Sequence, residues 1–154
     1  MSVHARLAEL GIVLPKPAAP VATYVPVVVH GGMAVVSGQL PMEAGVLAVT
    51  GKLGAGVDLA AGQRAARLCL INVLAQLEAA LPGGLLAVTR IIRLGGFIAA
   101  TADFTDHAKV MNGASDLAVE IFGALGRHAR STVGVPSLPL DAAVEIEALI
   151  GLNS

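Results

Sequence analysis

Residues 126–149 read GRHARSTVGVPSLPLDAAVEIEAL, and this stretch decides which fold the sequence predicts. Apolar and polar residues alternate on either side of a Pro-rich segment, which indicates two short β-strands joined by a turn. Side chains two residues apart in a strand point to the same face. If the apolar faces of both strands pack on one core, the opposite face of this predicted hairpin carries Arg130, Thr132, Glu145 and Glu147 together. A guanidinium and carboxylates on one strand face form either a structural ion pair or a functional site.

The composition predicts one domain that associates with other subunits. The chain has 154 residues, of which 55% are hydrophobic and 14% charged, against roughly 25% charged residues in an ordinary soluble domain. Large apolar patches seldom stay exposed, so we expect partner subunits to cover part of the surface. We predict a single domain over residues 1–154, in which residues 1–20 form an N-terminal extension with a short helix.

The same composition argues against several classes of protein. No apolar run approaches the roughly 18 residues of a membrane-spanning helix, and no signal peptide is visible, so we expect a cytoplasmic protein without membrane contact. The one cysteine, Cys69, excludes an intramolecular disulfide. The net charge is −1, and one Tyr and three Phe are the only aromatic residues. Nucleic-acid binding normally needs a basic stripe and aromatic platforms, so we expect no nucleic-acid partner.

The periodicity along the chain predicts an α+β fold: a mixed β-sheet with two helices packed on one face. Asp58 and Thr105 are the expected N-caps of the two long helices. Pro26 indicates that the first strand has a free or bulged edge, and Gly38 indicates a bulge. The expected segments are a short helix at 3–11, strands at 23–29, 33–40, 46–50 and 85–100, helices at 58–80 and 106–122, and the two strands of the quoted stretch.

Further expectations concern the first two strands and the uncovered face of the sheet. The first, 23–29, is apolar on both faces and should be covered on both sides. His30, Gly31 and Gly32 should turn the chain into the second strand. Two helices leave the other face of the sheet without cover, so a closed ring of copies of this chain is expected, with binding sites at the subunit boundaries.

Two motifs resemble a known family. Residues 129–148, ARSTVGVPSLPLDAAVEIEA, resemble the C-terminal signature of the YjgF/YER057c/UK114 family, also called the RidA family. Residues 37–41, SGQLP, resemble its Ser-Gly-Gln-hydrophobic-Pro motif, and the helix after Asp58 lies where the family's first helix lies. The resemblance runs from about residue 20 to residue 149. The segment between the two predicted helices and GALGRH at 123–128 are typical of a divergent branch.

This resemblance implies a chorismate-mutase-like fold of the Bacillus type, assembled as a homotrimer with ligand sites between subunits. It also implies an imine/enamine deaminase, which hydrolyses small reactive 2-imino and enamino acids to 2-keto acids and ammonia. Neither a metal nor an organic cofactor is implied. The partners would be two further copies of the chain and a small metabolite that bears a carboxylate.

The resemblance also implies roles for individual residues. Arg130 would hold the substrate carboxylate, Tyr24 would close the pocket, and Glu145 would position or activate water. A guanidinium suits this task because it can grip a carboxylate with two parallel hydrogen bonds. Thr132 is the second implied catalytic residue, and it stands where many active members carry a cysteine. If the backbone amide at this position does the work, little is lost; if the thiol is required, deaminase activity is in question. The remaining implied pocket residues are Ser37, Gly38 and Asn112.

Simpler interpretations stand beside these roles. Arg130 could form a structural ion pair with Glu145 or Glu147, and Glu145 could only stabilise an interface. Tyr24 could be a core residue, and Cys69 is expected to be a small buried hydrophobe. His107 and His128 lack the spacing of a metal site; His128 could contact the ligand or lie on the surface.

Three functions remain in competition. The first is the imine/enamine deaminase. The second is a non-catalytic protein that binds or senses small carboxylates in the same pocket. The third is cleavage of RNA, since some relatives carry an endoribonuclease label; the absence of a basic stripe makes it the weakest.

Overall fold

The computed structural model describes residues 1–17, 20 and 22–154, and it has the expected α+β architecture. Five strands form one mixed sheet in the order β1-β2-β7-β5-β6, and β3 and β4 form a separate pair. The β5–β6 pair is parallel and the other pairs are antiparallel. The helices are α1 (Val3–Glu9), α2 (Leu59–Ala80) and α3 (His107–Phe122). The strands are β1 (Val27–His30), β2 (Met33–Gln39), β3 (Met42–Glu43), β4 (Val46–Leu47), β5 (Val88–Ala99), β6 (Ala129–Val135) and β7 (Val144–Leu152).

The predicted hairpin in the quoted stretch is wrong. β6 and β7 are not neighbours, because β5 lies between them and pairs with both. The chain leaves β5, crosses over through α3 and returns as β6 parallel to β5, which is the usual geometry of a helical crossover. The Pro-rich segment then passes to the far side of β5, and β7 takes the position between β2 and β5. The segment 136–143 is therefore a crossing connection and not a hairpin turn.

This strand order also changes which side chains share a face. Arg130 is in register with Leu94, which is in register with Ala148, and both of these partners are buried beneath the helices. Glu145 is in register with Phe97 on the opposite face. Arg130 and Thr132 thus face α3, and the prediction that they share a face with Glu145 and Glu147 is wrong. The reason is that β6 is an edge strand whose Val133 points away from the core and remains 49% exposed.

The ends of the two long helices can be compared with the predicted capping residues. The Asp58 carboxylate accepts a hydrogen bond from the Ala61 amide at 2.8 Å, so the predicted N-cap of α2 is confirmed. The predicted cap at Thr105 is wrong by one residue, because Asp106 takes the N-cap position of α3. Gly123 ends α3 as predicted. Cys69 is fully buried in α2, which confirms that it is a core residue.

The two helices lie close to each other and to the sheet because small residues allow it. A β-carbon added to Gly113 of α3 would lie 2.1 Å from the Gln63 carbonyl oxygen of α2. A β-carbon on Gly96 of β5 would lie 2.6 Å from Sδ of Met111 on α3. These contacts fix the position of α3 over β5 and β6.

The β1–β2 hairpin is confirmed in its details. Gly31 and Gly32 form its two-residue turn at φ values of 57° and 75°, which favour glycine. The register shifts between Val36 and Gln39, so the bulge expected at Gly38 is present. β1 has one free edge, as Pro26 predicted.

Other element boundaries differ from the prediction. β1 begins at Val27 and not at residue 23, and the first residues of the segment 85–100 form a 3₁₀ turn, Gly84–Ala87, before β5. β1 is not covered on both faces within one chain, because Val28 and Val29 are 51% and 53% exposed.

The face of the sheet opposite the helices, called here the open face, carries exposed apolar side chains. They are Val28, Met33, Val35 and Val133. In the residues described, no helix is both long and apolar enough to cross a lipid bilayer.

Candidate functional site

Arg130 lies in the cleft between β6 and α3 and is held by neutral acceptors. Its Nη1 donates to Oδ1 of Asn112 at 2.8 Å and to Oγ of Ser115 at 3.0 Å, and its Nη2 donates to the carbonyl oxygen of Ala108 at 3.3 Å. Within the described residues, no carboxylate lies within ion-pair distance of this guanidinium. The positive charge therefore has no counter-charge from the described part of its own chain. The Nε–H group and one Nη2 hydrogen have no acceptor in the described part of the chain.

A second polar group points into the same cleft. Thr132 follows Arg130 by two residues, so its side chain also faces α3. Its Oγ1 is buried and makes no hydrogen bond to any described residue. A buried hydroxyl without a partner is costly and uncommon in a folded protein. Because the atom has no exposed surface, a ligand or water molecule could reach it only if neighbouring groups moved.

His128 completes the group that we call the arginine cluster: Arg130, Thr132, Asn112, Ser115 and His128. Its Nε2 lies 2.9 Å from Oγ of Ser115, and its Nδ1 lies 2.6 Å from the carbonyl oxygen of Gly126. The ring is half-buried and bonded on both nitrogens, so His128 lies at the surface between the helix and the strand but is held in place. Its contact with a ligand remains a prediction.

Glu145 belongs to a separate group on the open face. Its side chain lies over the backbone of Gly38, where an added β-carbon would be 2.5 Å from Oε1. The absence of a side chain at Gly38 therefore leaves room for the Glu145 carboxylate. Burial raises the pKa of Glu145, and the neighbouring charge of Glu147 raises this pKa further. A carboxyl group with a raised pKa is a stronger base than an ordinary one.

Ser37 and Tyr24 lie near one another at the margin of the open face. The Ser37 hydroxyl donates to the carbonyl oxygen of Val25 at 3.1 Å, and the Ser37 amide donates to the Pro26 carbonyl oxygen at 2.9 Å. The Tyr24 side chain is 56% exposed, so the alternative that Tyr24 is only a core residue is wrong. An exposed tyrosine next to the segment that holds Ser37 is available to a ligand or a neighbouring subunit.

Glu147 has a different partner from the one proposed for it. Nη1 of Arg93 lies 3.5 Å from Oε1 of Glu147, and both side chains lie over Gly95 on the open face. The alternative that Arg130 pairs structurally with Glu145 or Glu147 is wrong within one chain, because the sheet separates them. We call Glu145, Glu147, Arg93 and Gly38 the glutamate cluster.

The predicted site residues therefore form two groups in one chain. The arginine cluster brings together Arg130, Thr132 and Asn112, while Gly38 and Glu145 meet on the other face, with Ser37 and Tyr24 at its margin. A cleft of about 370 Å³ lies further along β6, where a β-carbon on Gly134 would lie 2.5 Å from Nε2 of His107; no residue of the arginine cluster lines it. Thr101 and Phe104 also line this cleft.

Two functional candidates were missed by the sequence reasoning. Ser115 lies three residues after Asn112, and residues three apart lie on the same face of a helix, so helical spacing could have found it. Arg93 lies in a strand next to the one that carries Glu147, and only the strand order reveals this pairing. In the described residues, no three His, Cys, Asp or Glu side chains are grouped closely enough to hold a metal ion.

Comparison with known proteins identifies the family. Residues 4–150 match a family model described as "YjgF/chorismate_mutase-like, putative endoribonuclease". The chain belongs to the YjgF/chorismate mutase-like family. This match covers almost the whole chain and confirms the resemblance seen in the two sequence motifs.

Individual proteins are similar to this YjgF-family chain over most of its length. Protein TCP17 of Trypanosoma cruzi is 47% identical over 153 residues, which cover 99% of this chain and 95% of TCP17. A crystal structure of a protein of unknown function from Agrobacterium tumefaciens is 47% identical, with a TM-score of 0.91 over 99% of this chain and 92% of that one. TdcF of E. coli, solved with bound serine, is 31% identical, with a TM-score of 0.64 over 90% of this chain and 94% of TdcF.

Proposed function

We propose that this protein hydrolyses small 2-imino and enamino acids to 2-keto acids and ammonia, in sites formed between the subunits of a cytoplasmic homotrimer. The observation that carries the proposal is the state of Arg130. Its guanidinium is held between β6 and α3 by three neutral acceptors and, among the residues that the structure describes, has no carboxylate partner and keeps donors free. Such a cation is suited to a ligand carboxylate.

The chemistry needs few groups. Arg130 holds the carboxylate, which places the adjacent imine carbon in the cleft. Water adds to that carbon while a base takes a proton from the water and passes it to the imine nitrogen. The resulting carbinolamine transfers its hydroxyl proton to the nitrogen as the C–N bond breaks, which releases ammonia and leaves the 2-keto acid. Glu145 is suited to the role of base because burial and Glu147 raise its pKa. Since an imine is already reactive, positioning supplies much of the acceleration.

The separation of the two clusters supports a site between copies. Arg130 and Glu145 lie on opposite faces of the sheet, so they cannot act on one small molecule within a single chain. An open face that packs against the β6–α3 edge of another copy would bring its Glu145 towards the first copy's Arg130. The exposed valines of the open face, such as Val35 at 53%, favour this packing.

A relative lends further support. The similar protein TdcF was solved with bound serine, a small molecule with a carboxylate next to an amino-bearing carbon. A 2-imino acid has the same carboxylate and places nitrogen on the same carbon. Carried over to this chain, that ligand fits the pairing of Arg130 with a carboxylate.

The test is hydrolysis of 2-iminopropionate, generated in situ, with the rate of pyruvate formation measured above the uncatalysed rate. We expect Arg130→Ala to lower kcat/KM on the order of 10²-fold, which corresponds to about 3 kcal/mol for a lost charge-assisted contact. Arg127→Ala is the matched control, because Arg127 is exposed and belongs to the same segment. It should change the rate less than about twofold.

The outcomes separate the competing functions. Binding of 2-ketobutyrate without turnover would favour the non-catalytic carboxylate-binding protein. Cleavage of single-stranded RNA that survives Arg130→Ala, with no effect on the imine, would contradict the deaminase proposal. Equal activity of Arg130→Ala and wild type would also reject it.

A further inference from the structure

The hydrogen bonds of His128 have a fixed direction. Nδ1 lies 2.6 Å from the carbonyl oxygen of Gly126, and a carbonyl oxygen can only accept, so Nδ1 carries the proton. In the neutral ring Nε2 then has no hydrogen and must accept. The group 2.9 Å away is the hydroxyl of Ser115, which therefore donates to Nε2.

The direction of this bond also fixes what Ser115 offers to Arg130. Because the Ser115 hydrogen points to His128, the lone pairs of Oγ are free to accept from Nη1 of Arg130 at 3.0 Å. Nη1 uses its other hydrogen for Oδ1 of Asn112 at 2.8 Å. The result is a continuous chain of donors and acceptors that runs from Arg130 through Ser115 and His128 to the backbone of Gly126.

The far end of this chain is rigid. Gly126 is buried against α3, where an added β-carbon would lie 2.1 Å from the carbonyl oxygen of Ala118. His128 and Arg130 lie two residues apart, so both side chains face α3. A free serine hydroxyl can rotate, whereas this one is held between the imidazole and the guanidinium.

We propose that Ser115 and His128 are positioning residues that fix the plane of the Arg130 guanidinium and thereby aim its remaining donors at a ligand carboxylate. This inference rests on the proposed function for its kinetic consequences, although the bonding chain can be tested without it. Without Ser115 and His128, Arg130 keeps its charge and its bonds to Asn112 and Ala108, but its guanidinium is less firmly oriented. The loss falls on binding of the carboxylate, which changes little during the reaction.

The kinetic test compares Ser115→Ala with Ser115→Thr, which keeps the hydroxyl, and with His128→Phe, which removes the acceptor. We expect Ser115→Ala and His128→Phe to raise KM for 2-iminopropionate on the order of 10-fold with kcat nearly unchanged, as for lost uniform binding. Ser115→Thr should stay within about twofold of wild type. Ser137→Ala, an exposed serine after β6, is the control. A purely structural role would lower the yield of folded protein and leave KM unchanged.

The spectroscopic test does not depend on activity. Long-range ¹H–¹⁵N NMR of the His128 ring should show the Nδ1–H tautomer in the wild type and in Ser115→Ala, because Nδ1 still donates to the carbonyl oxygen of Gly126. The ¹⁵N resonance of Nε2 should move in Ser115→Ala, because Nε2 loses the hydrogen bond that it accepts. An Nε2–H tautomer in the wild type overturns the inference.

The failures of the two proposals can be told apart. If Arg130→Ala is inactive but Ser115→Ala and His128→Phe keep the wild-type KM, the positioning role is rejected and the proposed function stands. If the wild type has no turnover, the same variants are compared by their Kd for 2-ketobutyrate. Absence of both turnover and binding rejects both proposals.

Discussion

At the scale of single residues, two effects both raise the pKa of Glu145. Its carboxylate lies half-buried over Gly38, and Glu147 is two residues away on the same face. Burial is the larger cause of the raised pKa and the charge of Glu147 the smaller. Glu147 is itself paired with Arg93 at 3.5 Å, and the positive charge of Arg93 weakens the effect of Glu147 on the pKa of Glu145 without removing it.

We expect Glu147→Gln to lower the pKa of Glu145 without returning it to its ordinary value, because burial remains. Carboxyl-detected NMR titration measures this pKa directly. Glu9→Gln is the control, since Glu9 lies on α1 in the helix layer. An unchanged Glu145 pKa in Glu147→Gln would show that burial alone causes the shift.

The raised pKa of Glu145 makes the free energy of unfolding depend on pH, and linkage gives the direction of this dependence. A raised pKa means that the folded state holds the Glu145 proton more tightly than the unfolded state does. The stabilisation is therefore fully present below the unfolded pKa and is lost as the pH rises through the folded pKa. Glu145→Gln removes this dependence, so its free energy of unfolding should decline less than that of the wild type over this window. Urea unfolding at several pH values checks it.

At the scale of elements, the position of α3 depends on glycines, whose lack of a side chain allows close packing. Gly113 brings α3 against the backbone of α2, and Gly96 receives Met111. The same helix carries Asn112 and Ser115, so the packing that holds α3 also sets the geometry around Arg130.

We expect Gly113→Ala to destabilise the fold by about 3 kcal/mol, because its β-carbon would meet a backbone carbonyl that cannot move aside. The free energy of unfolding from urea titration measures this. Gly56→Ala is the matched control, since nothing lies within 4 Å of a β-carbon built at Gly56. Equal stability of the two variants would show that α3 can shift outward without cost.

The sequence predicted the local features of these elements and not their arrangement. Asp58 as a cap, Gly31 and Gly32 as a turn and Gly38 as a bulge each follow from the chemistry of one or two residues. The order of β6, β5 and β7 depends on contacts between residues far apart in the chain, and no local pattern encodes it. Alternation alone could not tell which face of the edge strand β6 meets the core. For this reason the site residues were named individually, while their distribution over two faces was missed.

At the scale of the whole molecule, the two clusters lead to a prediction about mixed assemblies. If each site takes Arg130 from one copy and Glu145 from another, two inactive variants can complement each other. We expect Arg130→Ala and Glu145→Gln, unfolded together in equal amounts and refolded, to recover activity at about a quarter of the sites, for random assembly of a ring.

Two measurements accompany this experiment. Native mass spectrometry gives the number of subunits and the distribution of mixed species. The controls are the two variants refolded separately and then combined just before the assay, which should remain inactive. Mixed trimers without recovered activity would contradict a site shared between copies.

The central position of β7 has a consequence for how the protein is made. β7 follows every other strand along the chain, yet it pairs with β2 on one side and β5 on the other. During synthesis the β1–β2 hairpin and the β5–β6 pair cannot join until residues 144–152 have left the ribosome. Contacts between such distant segments slow folding and leave strand edges unprotected in the meantime. The sheet of the nascent chain therefore stays in two separate parts until β7 is synthesised. A chain whose synthesis stops before residue 144 cannot complete the fold.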